Sequence, residues 1–547
     1  MSFAKNLPTV QPYYPLVGNA LSVLWKTNEE QFDYLYNALS HPAKLFTIWL
    51  GVFPFISTND PVIIQKILTH PHGIQKPYFF DFFKLEFSVL IAQPSLWKTQ
   101  RKALNPSFNQ KILNGFIPIF DRCAQSLVKD LLQSPEGEQI LVTNLMTRCA
   151  LAMVCATTIG SDINEDPDAE KFAYLMNGII EFASKRFLNL VLYIESIYRL
   201  TKDFKMEEAM REEALKFIDK VFQNALIKRA ERSKIFEGGD QDDYRKPKIF
   251  IDQLLDLHDQ QILSDIELHH NVCIMIIVGS DTTGTTMGFI AQLFGIYPHL
   301  QEKVYQEIKG TFPSDSELDF TPERLAQLQY TEMFIKESLR HFPVAPIMLR
   351  QTTGDIELDD TTIPTGTLLQ MSIYNLHRRK DLWGPDAEDF NPENFSEKCI
   401  KGRRPFAYIP FGGGNRNCIG NRYAMISMKI MVVHLLINFR FKSDLCLKDL
   451  RLKFNAMLKF SKEPGLLLER RVTLPVFTTN EKRKGQRMTH RHNSDEILPA
   501  HAILPVDTWI AQHPHTEASD GPESSGEASG RSRLSIPGKQ LKNHPAS

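Results

Sequence analysis

One decapeptide constrains this chain more than any other feature: Phe411-Gly412-Gly413-Gly414-Asn415-Arg416-Asn417-Cys418-Ile419-Gly420. It satisfies F-x-x-G-x-R-x-C-x-G at every fixed position. Composition alone would place those residues at that spacing in roughly one in ten thousand chains of this length. Glycines let a backbone wrap closely round a sulfur and aim amide N–H groups at it, which tunes the electron density a thiolate gives a metal. The stretch that follows, GNRYAMISMKIMVV, reads as the start of a helix whose N-terminus favours the anionic form of Cys418. A structural cysteine beside a Gly-rich turn is the bland alternative; it accounts for a lone cysteine but not for the complete pattern.

The rest of the 547 residues suits a large globular body. With 43% hydrophobic and 23% charged residues, the composition excludes collagen, disorder and a disulfide scaffold. A net charge of -1 offers no basic excess, so nucleic acid is not an expected partner. Cysteines stand at 123, 149, 155, 273, 399, 418 and 446, an odd count without CxxC spacing. That argues against disulfides and structural zinc, and for a reducing compartment in which one thiolate does chemistry. No run of about 18 apolar residues marks a membrane span. The start, MSFAKNLPTVQPYYPLVGN, lacks the layout of a signal peptide.

Helical periodicity dominates. Residues 203–232 predict a charged helix with a buried stripe of Met210, Leu215, Phe217, Ile218 and Phe222. Residues 266–291, with VCIMIIVG at their centre, predict a helix buried on most sides; 324–341 and 421–439 predict two more. Strands are expected at Leu45–Leu50, Phe53–Ser57, Ile356–Pro364 and Leu368–Ile373, separated by turn residues. Nothing between 15 and 470 reads as a linker, so one large, mainly α domain with small β-sheets is expected over 15–471. From 472 to 547 the chain is polar and Ser/Gly/Pro-rich and reads as a disordered tail; an apolar island within it, ILPAHAILPVDTWI, reads as an exposed peptide.

Three further constellations carry chemistry. Val278-Gly279-Ser280-Asp281-Thr282-Thr283 sets polar groups in the apolar helix, where they are costly unless paired. Threonines bonding back to their own helix are the bland alternative. Glu337 and Arg340, at i and i+3, share a helix face and can pair. Trp97 and Arg101, at i and i+4, point the same way. Together with the cysteine loop, these motifs resemble those of the cytochrome P-450 superfamily over roughly residues 10–470. The stretches YYPLVGN, IWLGVFPFISTNDPVIIQKILTHPHGIQKPYFFDFF and NPSFNQKILNGFIPIFDR resemble its insect members of clan four.

The resemblance implies a single large cytochrome P-450 fold domain, with haem b (iron protoporphyrin IX) between the long central helix and the cysteine loop. Cys418 is then the axial, metal-binding ligand, and Phe411 packs near the thiolate. Arg416, Arg350, Trp97 and Arg101 fall to the haem propionates. Thr282 holds a hydrogen-bonded water beside the oxygen site in a locally opened stretch of helix, and Asp281 connects it to protons from solvent. Glu337 and Arg340 become a buried structural pair. Monooxygenation of a lipophilic substrate (fatty acid, hormone or xenobiotic type) follows, with dioxygen and with electrons from an NADPH-cytochrome reductase steered by Lys98, Lys102, Arg403, Arg404 and Arg422. The substrate would lie against residues near Phe80–Ile91, Phe182–Leu190, Val278–Asp281, Val344–Met348 and Asn455–Leu458. By the same resemblance the protein works at a membrane surface, on the cytosolic face of the endoplasmic reticulum.

Some positions depart from the pattern. Asn394, in Phe390-Asn391-Pro392-Glu393-Asn394-Phe395, stands where arginine is usual, which predicts some loss of stability rather than of function. Val278 stands where several mammalian relatives carry a haem-bonding Glu, so the haem is not expected to be ester-linked. Residues 1–14 correspond to a hinge that normally follows a hydrophobic anchor, and a gene model lacking its first exon is the expected reason. A reductase-independent isomerase and a decayed, non-catalytic haem protein are the rival functions. The Asp281–Thr282 pair speaks against the isomerase; the missing anchor and Asn394 are what the decayed protein rests on.

Overall fold

An apolar stretch such as VCIMIIVG has no face to offer water, and it forms the middle of the long helix Asp265–Ile296 in this computed structural model, which describes residues 2–23, 26–163, 167–236, 249–313 and 318–471. The expected tail from 472 lies outside the described residues. Ser264 and Glu267 form a capping box at the start of this central helix. Among the described residues it is the one helix apolar and long enough to cross a bilayer, yet 78% of its most apolar stretch is buried inside the protein. Its most extensive partner is the helix Thr143–Thr158. A Cβ on Gly284 would lie 2.3 Å from the Thr147 Cα, and one on Gly288 2.4 Å from the Thr143 Oγ1, so only glycine allows the two backbones this close.

The helices Ile117–Leu132, Gln329–His341 and Asn421–Asn438 complete the main core around Phe289, Phe294, Phe334 and Leu435. Beside them lies a four-stranded sheet. Phe46–Leu50 runs antiparallel to Phe53–Thr58, which runs parallel to Leu368–Ser372, itself antiparallel to Ile347–Gln351. The N-terminal residues are fastened to its edge: Val10 N donates to Thr47 O at 3.0 Å and Thr47 N to Pro8 O at 2.8 Å.

The expected elements recur with four corrections. The helix expected over 324–341 is broken at Leu328, whose φ and ψ of -74° and 67° leave the helical region. The Glu307 carboxylate then accepts from Tyr330 N and Thr331 N, satisfying the fresh helix start. The strand expected over Ile356–Pro364 is a small hairpin, Ile356–Glu357 with Thr362–Ile363. In the helix Lys202–Phe236, Leu215 is exposed: Met210, Ala214, Phe217, Ile218, Val221 and Phe222 follow the three-and-four spacing, and Leu215 falls off that line. Finally, a C-terminal hairpin, Leu452–Asn455 with Met457–Phe460, and the strands Phe439–Lys442 and Leu466–Arg470 carry short patterns that periodicity missed.

The Glu337–Arg340 pair is wholly buried. Arg340 donates to both Glu337 oxygens, at 2.8 and 2.7 Å, and to the carbonyls of His377, Ala387 and Asp389. Asn391 N and Asn394 Nδ2 also donate to Glu337, at 2.8 and 3.1 Å. Asn394 therefore keeps a hydrogen bond where the expected arginine would have made one. The Arg403 guanidinium, expected at a reductase-docking surface, instead lies 4.1 Å from the Trp383 ring centre and donates to the Asn394 carbonyl. A second guanidinium thus supports the network from another point of the chain.

Candidate active site

The cysteine loop is built by contacts that only its own residues permit. Cys418 N donates to Phe411 O at 2.8 Å, closing the loop on itself, and half-buried Phe411 packs against the main core. Gly414 adopts φ +67°, and a Cβ there would lie 2.0 Å from Leu68 O. The helix Asn421–Asn438 starts just after Cys418. Cys418 is exposed to solvent, although burial is the largest influence on its thiol and raises its pKa. The Gly420 amide and the Arg101 charge oppose the effect of burial and favour the thiolate.

Arg101 donates to Asn417 O and Asn417 Oδ1, both at 2.7 Å, so it braces the loop at the residue next to Arg416. The other expected propionate partners make contacts of their own. Arg416 donates to Ile74 O, Leu90 O and Ala92 O, and its guanidinium lies 5.3 Å from the Trp97 ring centre. Arg350 is buried in its strand and donates to Leu349 O. The Nε atoms of Arg350 and Arg416 are both buried without a partner. Desolvation, then repulsion from Arg350, lowers the pKa of Arg416 to about 9; desolvation lowers that of Arg350 to about 10.

A third cation joins them that sequence reasoning missed. Gln351 N donates to Gln75 O at 3.0 Å while Arg416 holds Ile74 O, and the two bonds seat Lys76 between the arginines. Burial first, then the charges of Arg350 and Arg416, drive the Lys76 pKa well below its ordinary value. Three cations, two of them arginines with an unpaired buried Nε and, among the described residues, none with a carboxylate in ion-pair range, form a site for a multiply charged anion, with the Lys76 ammonium 4.6 Å from the Phe80 ring centre. The two carboxylates of a porphyrin beside a cysteine sulfur fit this donor set.

The central helix supplies the opposite groups. It is continuous through 278–283, not locally opened as the resemblance implied. Thr282 Oγ1 donates to Val278 O at 2.6 Å and Thr286 Oγ1 to Thr282 O at 2.8 Å, which satisfies the hydroxyls within the helix. Asp281 is buried and pairs with Lys459, whose Nζ lies 2.9 and 2.8 Å from its two oxygens. Lys459 too was missed, though Leu458 beside it fell in an expected lining segment.

Two pairs of the expected lining segments touch, 80–91 with 182–190 and 344–348 with 455–458. Phe79, Phe80, Phe82 and Phe187 form one cluster with Phe55, Leu349 and Leu368. Val89 N donates to Asn271 Oδ1 of the central helix, and Leu458 N to Val344 O. Of the expected reductase-facing cations, Lys98, Lys102, Arg404 and Arg422 are exposed while Arg403 is withdrawn.

A family model for Cytochrome P450 matches residues 8–466. Cytochrome P450 4c21 of Blattella germanica is 30% identical over 466 residues, covering 84% of this chain and 92% of that relative. Probable cytochrome P450 313a1 of Drosophila melanogaster is 29% identical over 461 residues, covering 84% and 92%. Cytochrome P450 4V2 of Pongo abelii is 30% identical over 483 residues, covering 85% and 90%.

The chain belongs to the cytochrome P450 family. As a cytochrome P450 it is a haem-iron monooxygenase of the mainly helical P450 fold, acting on a small molecule with dioxygen and electrons from a redox partner.

Proposed function

We propose that this P450 binds haem b without an ester link and hydroxylates a lipophilic substrate, with electrons passed from NADPH by a diflavin reductase. The observation that carries the reading is the cation cluster of Lys76, Arg350 and Arg416, which among the described residues has no carboxylate in ion-pair range and leaves the Nε atoms of both arginines unpaired, in the same fold as the Cys418 loop. Cys418 would bind the iron, the three cations the porphyrin carboxylates, and Trp97 and Phe411 would pack beside them. When bound, a haem with a thiolate ligand supplies dioxygen activation, consuming two electrons and two protons for each oxygen atom inserted. Asp281 takes up protons from the solvent side, and Thr282, whose hydroxyl oxygen can still accept while it donates to Val278 O, holds the water that carries them on. The aromatic cluster around Phe79 and Phe187 supplies an apolar wall that favours a hydrophobic substrate.

The carbon-monoxide difference spectrum of the reduced, haem-loaded chain tests this. The red-shifted thiolate band should form, and Cys418→Ala should abolish it. A blue-shifted band in the unmutated chain would refute thiolate ligation. Val278 offers no carboxyl to the haem, so acid–acetone should extract it completely; retained haem would overturn that part.

We further propose a membrane-facing surface around the hairpin tip at Val52. Leu16 is 81% exposed, and Val17, Val52, Val191 and Ile194 are exposed nearby. Gly51 N donates to Val17 O, and a Cβ on Gly51 would touch Leu190, which draws these residues into one apolar patch. Work at a membrane, as at the endoplasmic reticulum, would use it. Flotation of the chain with phospholipid vesicles should be lost when Leu16 and Val191 are both changed to Ser.

A further inference from the structure

An apolar pocket wall reads the head of its ligand where polar groups that the protein leaves unspent interrupt it. His270 and Asp281 are eleven positions apart on the central helix, close to three turns, so they share one face about 16 Å apart along its axis. The turn 85–89 is tied to the helix at the His270 end. Phe87 N donates to His270 Nδ1 at 3.2 Å, and Val89 N to Asn271 Oδ1 at 2.9 Å. Burial lowers the His270 pKa; Glu86 opposes it, and His269 and Arg211 add to it, so the ring is neutral at pH 7. Because Nδ1 accepts, the neutral ring carries its proton on Nε2, which among the described residues has no hydrogen-bond partner. Half-buried Glu86 keeps its Oε2 buried, and that oxygen accepts no hydrogen bond. Around them the wall is aromatic. The Phe87 ring lies 5.6 Å from the His270 ring, and Phe80 and Phe82 of the same segment pack in the cluster with Phe187. One unmet acceptor and one unmet donor interrupt it, and a buried acceptor left unmet by the protein calls for a donor from elsewhere.

We propose that Glu86 and His270 receive a hydroxyl group of the substrate, which donates to Glu86 Oε2 and accepts from His270 Nε2. The inference rests on the reading that a lipophilic substrate lies along the segments 80–91 and 278–281. It narrows that substrate to a neutral amphiphile, a lipophilic alcohol whose hydroxyl stands about 16 Å from the end oxygenated beside Asp281. A carboxylate head would set acceptor against acceptor at Glu86, and an ether lacks the proton that Glu86 takes.

The test is binding without turnover, read from the haem absorption band of the loaded full chain. Three ligands share one chain and differ at the head: myristyl alcohol, myristyl methyl ether and myristic acid. The alcohol should bind about 10–100-fold more tightly than the ether, the worth of a hydrogen bond to a carboxylate, and the acid should bind weakest. Glu86→Gln should weaken the alcohol about tenfold and strengthen the acid, because an amide can donate where the carboxylate could not. A change of packing alone would move all three ligands together. Glu86→Asp, which draws the carboxylate back by one methylene, should weaken the alcohol and leave the ether unchanged, as should His270→Phe.

If alcohol and ether bind equally to the unmutated chain, the inference fails while the reading of a lipophilic substrate stands. The same holds if Glu86→Gln moves alcohol and acid in one direction, or if Glu86→Asp and His270→Phe weaken the ether as much as the alcohol. If none of the three ligands shifts the band of a chain that forms the thiolate band with carbon monoxide, that reading fails and the inference with it.

Discussion

Arg340 differs from Arg350 and Arg416 in how its donors are spent, and depth of burial does not follow that difference: Arg340 and Arg350 are buried, Arg416 half-buried. Arg340 gives its donors to Glu337 and three backbone carbonyls, and its guanidinium also lies 4.8 Å from the Trp383 ring centre. Arg350 and Arg416 donate only to carbonyls, face each other and Lys76 as like charges, and leave both Nε atoms unpaired. The first group is complete in the protein alone. The second is complete only with an anion, so the unspent donor, not burial, separates a site from a support.

The comparison breaks most sharply at Glu337. Glu337→Ala leaves Arg340 buried and uncompensated and should cost about 3–5 kcal/mol, read as the loss of soluble protein or a collapse in the thermal midpoint. Acid should act at the same place. Burial pushes the Glu337 carboxyl up, but hydrogen bonds from Arg340 and His341 outweigh it and hold its pKa at about 2. The folded value lies below the unfolded one, so this stability is fully present above pH 4.5 and is lost as pH falls through about 2. Circular dichroism during acid titration should show that loss in the unmutated chain.

Arg350→Met should do the reverse. It removes a buried charge without a counter-ion, so the haem-free chain should be unchanged or about 1 kcal/mol more stable, while haem escapes to apomyoglobin roughly 10–100-fold faster, the worth of one charge-assisted bond. A large destabilisation of the haem-free chain would erase the distinction. The smallest effect belongs to Asn394→Ala, which removes one of several bonds to Glu337 and should cost about 1 kcal/mol in urea unfolding. A cost near that of Glu337→Ala would mean that the network hangs on Asn394.

What could be read beforehand follows from distance along the chain. The Cys418 loop, the Glu337–Arg340 pair and the buried central helix depend on neighbours within one turn or one helix, where spacing carries the message. Lys76 gained its place through bonds at Ile74 and Gln75 to residues far along the chain, and alone it is one lysine in a loop. Lys459 meets Asp281 across 178 positions. Arg403 was placed on the surface because its charge was visible and its stacking on Trp383 was not. The break at Leu328 hid because the apolar spacing runs across it unchanged.

The glycine contact between the central helix and Thr143–Thr158 has a mechanical consequence. Where Gly284 and Gly288 meet Thr147 and Thr143, a shift of one residue along either axis would bring a side chain to a point that only hydrogen can occupy. The two helices are therefore locked like meshed teeth and cannot ratchet past each other. Asp281 and Thr282, within one turn of Gly284, therefore ride on a beam fixed from that side.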